Sequence, residues 1–272
     1  MQNSAPINTK DFPETLYHYT SSTVLLSILS NRSIWLSSKW HLNDSKEGVL
    51  FKELMEEIYE SNKKKYPNGN PASTNEILEQ YGSYVNCLSS DRDMLSQWRG
   101  YAGDGSGVSI GLDTATILRL VETNKDKLFL GQVEYVGEGH TLSVQKTGII
   151  KALLKNKVAP SERFISRALK TAWNIKPIAF KEEREYRIIL NIPVDPSKNI
   201  SSSDNIKRGF RAAHDSIREY YEISFAQDDF QKLVKSITLG PKNTSDTKAI
   251  EGLLTDRGLA NVKVFRSTAT YR

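Results

Sequence analysis

Cysteine and histidine are scarce in this sequence. Cys87 is the single cysteine, and the histidines are His18, His41, His140 and His214. One cysteine excludes an intramolecular disulfide bond and a metal site built from thiolates. The histidines are scattered along the chain without the spacing of metal ligands, so we expect no bound metal.

Long apolar runs are also missing. No stretch approaches the roughly 18 apolar residues that a membrane-spanning helix needs. The first residues, MQNSAPINTKDF, are polar, which is not typical of a secretory signal peptide. The composition, with 38% hydrophobic and 25% charged residues, allows a globular protein with a sizeable core. We therefore expect a cytoplasmic protein that makes no contact with a membrane.

Positive charge exceeds negative charge, and the excess is local. The formal net charge of the chain is +5, a mild attraction toward polyanions. Between positions 146 and 181 the sequence has nine basic residues and a single acidic residue, Glu162. This basic segment predicts either a solvated helix face or a surface that contacts nucleic acid or phosphate. Its basic residues are Lys146, Lys151, Lys155, Lys157, Arg163, Arg167, Lys170, Lys176 and Lys181. The candidate nucleic-acid surface comprises Lys151, Lys155, Lys157, Arg163 and Arg167, with Trp98 and Arg99 from another part of the chain.

Apolar periodicity and turn residues predict strands separated by helices. The predicted strands are 16–20, 33–38, 83–90, 107–113, 131–136, 183–192, 234–240 and 261–267, and the predicted helices are 21–31, 46–66, 73–82 and 244–258. Residues 142–175 are predicted to be mostly helical, and 204–222 to be a helix or a mobile segment. Because the alternation lacks βαβ regularity, we expect one α+β domain over residues 15–272, after a flexible arm over 1–14.

The stretch EEREYRIIL places charged residues directly before good strand residues. Side chains alternate between the two faces of a strand, so Glu183, Glu185 and Arg187 would share one face with Ile189. That face is either a buried ladder of ion pairs or a functional site. The residues alone leave both interpretations open.

Two aromatic motifs also have competing interpretations. In LYHYT, His18 is either a half-buried core histidine with satisfied hydrogen bonds or part of a site. In SQWRGYA, Trp98, Arg99 and Tyr101 form either a platform for stacking and phosphate binding or an aromatic corner of the core.

The order of several motifs resembles a bacterial family of domains of unknown function. These motifs are LYHYT, LLSILSNRSIWLSS, LND, VNCLSS, WRGYAGDGSGVSIGLD and EREYR, and ITLGP later in the chain also fits. The first block is also similar to the opening of the ADP-ribosyltransferase superfamily, which has an early histidine, a helix reading L..IL and a short aromatic strand. In that superfamily a glutamate at the start of a late strand completes the site, and EREYR occupies that position. The resemblance implies a split, mostly antiparallel β-sheet flanked by helices, and NAD as a consumed substrate.

Carried onto this sequence, the resemblance implies an NAD site assembled from distant parts of the chain. His18 would hydrogen-bond a ribose hydroxyl, and the backbone of Tyr19 would hold the nicotinamide amide. Glu185 would act on the reacting ribose, with Glu183 as the alternative. Arg187 would hold the carboxylate ionised or contact the pyrophosphate, and an aromatic ring would stack on the nicotinamide. The residues implied for NAD binding are His18, Tyr19, Thr20, Trp35, Ser37 and Tyr101, with Trp35 or Tyr101 as the stacking ring.

The leading expectation is therefore an ADP-ribosyltransferase-like enzyme, acting as a toxin or phage-defence effector on nucleic acid or protein. A restraining antitoxin is a candidate partner. Two alternatives stay open. One is a metal-dependent nuclease in which Glu183, Glu185, Asp91 and Asp93 bind the metal. The other is a non-catalytic nucleic-acid-binding module that uses the basic segment with Trp98 and Tyr101.

Overall fold

The computed structural model describes residues 11–39, 49–125, 127–137, 142–155, 162–195, 205–213 and 216–270. Strands and helices alternate irregularly along the chain. The strands are β1 Thr15–Thr20, β2 Ser33–Ser38, β3 Tyr81–Ser89, β4 Val108–Asp113, β5 Leu128–Gln132, β6 Glu134–Val136, β7 Ile175–Pro177, β8 Glu185–Pro193, β9 Ile206–Ala213, β10 Ser216–Ser224, β11 Val234–Leu239 and β12 Lys263–Arg266. The helices are α1 Ser22–Asn31, α2 Val49–Ser61, α3 Pro71–Glu79, α4 Leu95–Tyr101, α5 Thr114–Thr123, α6 Val144–Lys155, α7 Glu162–Ala172, α8 Gln227–Leu233 and α9 Thr247–Asp256. None of these described helices is both long and apolar enough to cross a bilayer.

One large sheet organises the described part of the chain. It has ten strands, in the order β12-β11-β4-β1-β3-β2-β10-β9, with β8 paired to β3 and β5 paired to β8. All its pairs are antiparallel except β11 with β12. A separate parallel pair joins β6 and β7. The prediction of an α+β fold with a mostly antiparallel sheet flanked by helices is confirmed.

The sheet divides at strand β3. On one edge, β3 pairs with β8 along its whole length, from Tyr81 to Ser89. The other edge of β3 pairs with two different strands. Ser89 is opposite Tyr17 of β1, and Val85 is opposite Ser37 of β2. Since β1 and β2 separate from each other between these two contacts, a cleft opens beside the middle of β3.

The two faces of the sheet bury different cores. The larger core contains the apolar side of α1, together with residues of α5, α8 and α9. Helix α1 begins after Ser21, whose hydroxyl accepts a hydrogen bond from the backbone N–H of Val24, and it buries Leu25, Ile28 and Leu29. Burial of each such side chain contributes on the order of 2 kcal/mol. The other face carries two smaller clusters, one built on α2, α6 and α7 and one around Tyr19 and Trp98.

Several predicted elements differ from the structure. Residues 204–222 were expected to be helical or mobile, but the described residues there form the β9–β10 hairpin. Aromatic and β-branched residues of β10 fill the cross-strand positions, which favours a strand over a helix. The predicted strand 131–136 is divided into β5 and β6 at Val133. The predicted helical segment 142–175 ends at Ala172.

The predicted strand 183–192 begins two residues later than expected. Glu183 belongs to a 3₁₀ turn, and Arg184 has a left-handed backbone with φ 47°. Because of the left-handed residue, Glu183 is not part of β8. Its side chain lies beside that of Glu185, the first residue of β8. The expected flexible arm over 1–14 falls mostly outside the described residues, although Phe12 packs against the large core.

Candidate active site

The cleft between β1 and β2 is closed by side chains in place of a backbone ladder. Nδ1 of His18 lies 3.1 Å from the carbonyl oxygen of Cys87, the central residue of the exposed edge of β3. Nδ2 of Asn86 donates to the carbonyl oxygen of Trp35 at 2.9 Å. These two bonds satisfy backbone groups that a regular sheet would pair, so they hold the cleft at a fixed width.

A small pocket lies on the His18 side of this cleft. It has a volume of about 50 Å³. Strands β1, β3 and β8, helix α4 and the 3₁₀ turn all contribute to its wall. The lining residues are His18, Tyr19, Cys87, Leu88, Gln97, Tyr101, Glu183 and Glu185. The fold thus brings together residues that are far apart in the sequence.

Two carboxylates and two cations form a buried cluster behind the pocket. The carboxylate of Glu185 receives two hydrogen bonds from Arg187, at 2.7 Å from Nε and 3.0 Å from the terminal nitrogen. Nζ of Lys176 lies 2.7 Å from Glu183 and 3.2 Å from Glu185. All four side chains are at most 10% exposed. Lys176 is therefore shared between the carboxylates, whereas Arg187 is paired with Glu185 and also donates to the backbone carbonyl of Trp173 at 2.8 Å.

The two carboxylates have opposite pKa shifts. Burial by itself raises the pKa of Glu185, but the charges of Arg187 and Lys176 outweigh burial and lower it to about 2. For Glu183, burial is not outweighed, so its pKa is raised despite the hydrogen bond from Lys176. The charge of Glu185 adds to this increase. Glu185 is thus held ionised, while Glu183 is the better proton acceptor of the two.

Neutral hydrogen-bonding groups contact the side chain or the backbone of both glutamates. The hydroxyl of Tyr101 donates to Oε1 of Glu183 at 2.9 Å, and burial raises the pKa of that hydroxyl. The hydroxyl of Ser89 donates to the backbone carbonyl of Glu183 at 2.8 Å. The backbone N–H of Glu185 donates to the hydroxyl of Tyr135 at 2.8 Å, and burial raises the pKa of Tyr135 to about 12.

His18 enters the pocket as a neutral imidazole. Burial lowers its pKa, so the ring is uncharged near neutral pH. A carbonyl oxygen can only accept, so the bond to Cys87 places the ring proton on Nδ1. Nε2 is then left as a hydrogen-bond acceptor, suited to a hydroxyl group of a ligand.

The structure gathers only part of the predicted site. His18, Tyr19, Tyr101 and both glutamates line the pocket, with Arg187 directly behind. Trp35 lies instead on β2, where its ring centroid is 4.5 Å from that of Tyr220. Ser37 accepts a hydrogen bond from Arg211. Thr20 is buried, and neither it nor these β2 residues line the pocket.

The predicted stacking platform is wrong for Trp98. Its side chain is fully buried, it packs edge-on against Tyr19, and its indole N–H donates to Asp93 at 2.7 Å. The aromatic-corner interpretation therefore holds for Trp98, because a base could reach it only if the core opened. Arg99 is exposed on α4. Tyr19 has the same structural role, since its hydroxyl donates to the backbone of Asp91 and accepts from that of Met94.

The basic segment does not form a single surface. Lys176 is buried between two carboxylates, and Lys170 is partly buried with its ammonium 5.9 Å from the ring centroid of Phe129. Neither the solvated-face interpretation nor the contact-surface interpretation fits these two residues. Arg167 is exposed and Lys151 half-buried. Lys157 and the side chains of Lys155 and Arg163 lie outside the described residues.

The acidic residues proposed as metal ligands have other partners. Asp93 accepts hydrogen bonds from Trp98 and from Ser267 and Thr268 near the end of the chain. Asp91 lies 3.4 Å from the guanidinium of Arg184. Within the described ranges, no three acidic, histidine or cysteine side chains are grouped as metal ligands would be. Lys176 and Arg187 occupy the space beside the two glutamates, and their charges would repel a metal ion there.

Sequence reasoning missed Lys176, Tyr135 and Cys87 as members of the site. A signal was present for Lys176, which is a lone charge in the otherwise uncharged stretch TAWNIKPIAF. Charged residues inside such stretches are buried only when they are paired. Cys87 also lines the pocket, and its side chain helps to lower the pKa of Glu185.

Comparison with known proteins relates part of the chain to one family. Residues 97–188 match the model of a family described as protein of unknown function (DUF2971). No curated protein matches the chain, and no solved structure does. The matched segment runs from α4 into β8, and so includes Tyr101, Lys176, both glutamates and Arg187 but not His18. The resemblance to a family of unknown function is confirmed for this segment.

Proposed function

We propose that this protein is an enzyme that cleaves the bond between nicotinamide and ribose in NAD and transfers the ADP-ribose. The observation that carries the proposal is the meeting of His18 with Glu183 and Glu185 in one pocket, where the sheet divides. The similarity to the ADP-ribosyltransferase superfamily supports it from the sequence.

The chemistry of the bond explains why a carboxylate is needed. When the bond between C1′ of the ribose and nicotinamide breaks, the electron pair leaves with nicotinamide. The ribose then develops the positive charge of an oxocarbenium ion. A carboxylate close to the ribose stabilises that charge, as in glycosidases. An acceptor hydroxyl or amine, or water, then bonds to C1′ and gives up a proton to a base.

We assign the reacting carboxylate to Glu183 instead of Glu185. Glu185 is chelated by Arg187 and has a pKa of about 2, so it is a weak base. Glu183 has a raised pKa, which makes it a stronger base. In this assignment Glu185 and Arg187 fix the cluster, and Lys176 offsets part of the repulsion between the two carboxylates.

The size of the pocket limits which part of NAD enters it. Binding pockets for whole ligands enclose roughly 300–1,000 Å³, whereas this one encloses about 50 Å³. Only the reacting end of the dinucleotide is therefore placed inside, with Tyr101 against the nicotinamide and Nε2 of His18 accepting from a hydroxyl. The remainder of NAD would lie outside this pocket.

The expected biological setting follows from the effect of NAD consumption on a cell. Unrestrained consumption of NAD harms a cell, so we place the activity in a cytoplasmic toxin or phage-defence effector that an antitoxin restrains. The acceptor, nucleic acid or protein, is identified by incubating the enzyme with labelled NAD and cell lysate. Sensitivity of the labelled product to nuclease or protease then separates the two.

The proposal is tested by measuring free nicotinamide after incubation of the purified protein with NAD. Glu183→Gln is expected to lower the rate by about 10²-fold or more, the usual contribution of a catalytic acid or base. The matched control is Glu182→Gln, because Glu182 is exposed and directly precedes Glu183. In the wild type, the rate should fall as the pH drops through the raised pKa of Glu183, because the ionised form is required. No nicotinamide release with or without lysate, or an unchanged rate in Glu183→Gln, would contradict the proposal.

A further inference from the structure

The β9–β10 hairpin extends beyond the rest of the sheet. Strand β10 pairs with β2 only from Tyr220 to Ser224, so among the described residues the outer half of the hairpin has no neighbouring strand. Phe210 and Ile217 in this outer half are 60% and 79% exposed. The hairpin is therefore a two-stranded ribbon that reaches into solvent.

One face of the ribbon places two arginines directly opposite each other. Arg211 of β9 is the cross-strand partner of Arg218 of β10. Like charges at such positions destabilise a sheet. Within the described part of the chain, the contacts of both guanidinium groups are to hydroxyls or to a ring, not to a carboxylate. The Nε of Arg211 is buried without a hydrogen-bond partner. An unbalanced pair of this kind is suited to an anion.

Aromatic rings adjoin the arginine pair on the same face. Trp35 and Tyr220 are in contact at 4.5 Å between centroids, and the guanidinium of Arg211 lies 5.8 Å from the Trp35 ring. The Tyr220 ring also packs directly against the backbone of Gly209, where any side chain would collide with it. The rings thus lie beside the arginine pair.

We propose that this face of the ribbon binds single-stranded nucleic acid. Guanidinium groups match the geometry of phosphate oxygens, and aromatic rings stack on unpaired bases whatever their sequence. An acidic peptide would use the charges, but Asp and Glu side chains have no aromatic ring to stack on Trp35 and Tyr220. The register of β10, β2, β3 and β8 puts Arg211 and Arg218 on the same face of the sheet as Cys87 and Glu185. Nucleic acid on the ribbon therefore lies on the pocket side of the molecule, although its binding does not depend on the proposed function.

The test is fluorescence anisotropy of a labelled oligodeoxythymidine with the full-length protein, without NAD. The oligonucleotide should exceed the roughly 4–16 nucleotides that such surfaces occupy. The double variant Arg211→Gln/Arg218→Gln is compared with Lys232→Gln/Lys248→Gln, which removes the same charge from exposed positions on α8 and α9. Loss of two phosphate contacts should weaken binding about tenfold or more and reduce the salt slope by roughly 1.4, whereas the control should bind like wild type. The unfolding temperature of the arginine variant should not fall, because a repulsive pair is removed.

Three outcomes would overturn the inference. They are no binding by the wild type, equal affinity and salt slope in the arginine variant and the control, and equally effective competition by polyglutamate or by duplex DNA. Since no NAD is present, each outcome is independent of whether nicotinamide release is observed.

Discussion

Helix α4 has a buried or half-buried carboxylate at each of its ends, and the two differ in what surrounds them. Before its first turn, Asp93 accepts hydrogen bonds from Trp98, Ser267 and Thr268. At its last residue, Tyr101 donates to Glu183 in the pocket. Burial raises the pKa of both carboxylates, but the donors around Asp93 outweigh burial and lower its pKa, whereas the pKa of Glu183 stays raised.

The difference separates a structural carboxylate from a reactive one. A carboxylate saturated by neutral donors holds chain segments together and has no remaining capacity to take up a proton near neutral pH. A carboxylate keeps that capacity when its hydrogen bonds and ion pairs offset only part of the effect of burial on its pKa. Such a carboxylate can react when a pocket gives a substrate access to it. Asp93 joins residues 267–268 to α4, whereas Glu183 lines the pocket.

The largest effect is expected when the charge balance of the pocket is broken. Arg187→Met would leave Glu185 buried with only Lys176 as a cation, and loss of one partner of a buried pair costs about 3–5 kcal/mol. Urea denaturation measures this change in the free energy of unfolding. Arg184→Met is the control, because the Arg184 side chain is 64% exposed and its ion pair should contribute less than about 1 kcal/mol. Equal losses in the two variants would contradict the described cluster.

A smaller effect is expected at the other end of α4. Asp93→Ala removes the acceptor for the buried indole N–H of Trp98, and an unsatisfied buried donor costs about 1–3 kcal/mol. Asp93→Asn retains one oxygen and should lose less. Both variants should release nicotinamide at the wild-type rate at temperatures where they remain folded. If Asp93→Ala abolished nicotinamide release while folded, the distinction between the two carboxylates would be wrong.

Much of the fold could be predicted from residue patterns. The strand LYHYT, the capped helix that follows it and the strand YRIIL are all present, because their apolar periodicity agrees with their tertiary packing. The β9–β10 hairpin could not be predicted in the same way. Its charged and aromatic residues follow a pattern that also fits a helix. Whether the segment forms a strand or a helix depends on its cross-strand partners, which the local sequence does not show.

The site could be predicted only in part. The pairing of His18 with the late glutamates came from motif order, which cannot indicate burial. Residue type left Trp98 open between a stacking platform and a corner of the core, and local charge placed Lys176 in a basic segment that faces solvent or nucleic acid. The structure puts Trp98 in the core and Lys176 in a buried ion pair. The left-handed turn at Arg184, which brings Glu183 next to Glu185, has no glycine or asparagine to mark it.

The central claim, that NAD enters the pocket lined by Glu183, is tested most directly through Cys87. This residue is the single cysteine of the chain and lines the pocket, so a small thiol reagent such as iodoacetamide labels one position. The labelling rate is followed by mass spectrometry in Glu183→Gln, which should bind NAD without consuming it. NAD is expected to slow labelling at the concentrations that saturate nicotinamide release by the wild type. A labelling rate that does not change at those concentrations would contradict the claim.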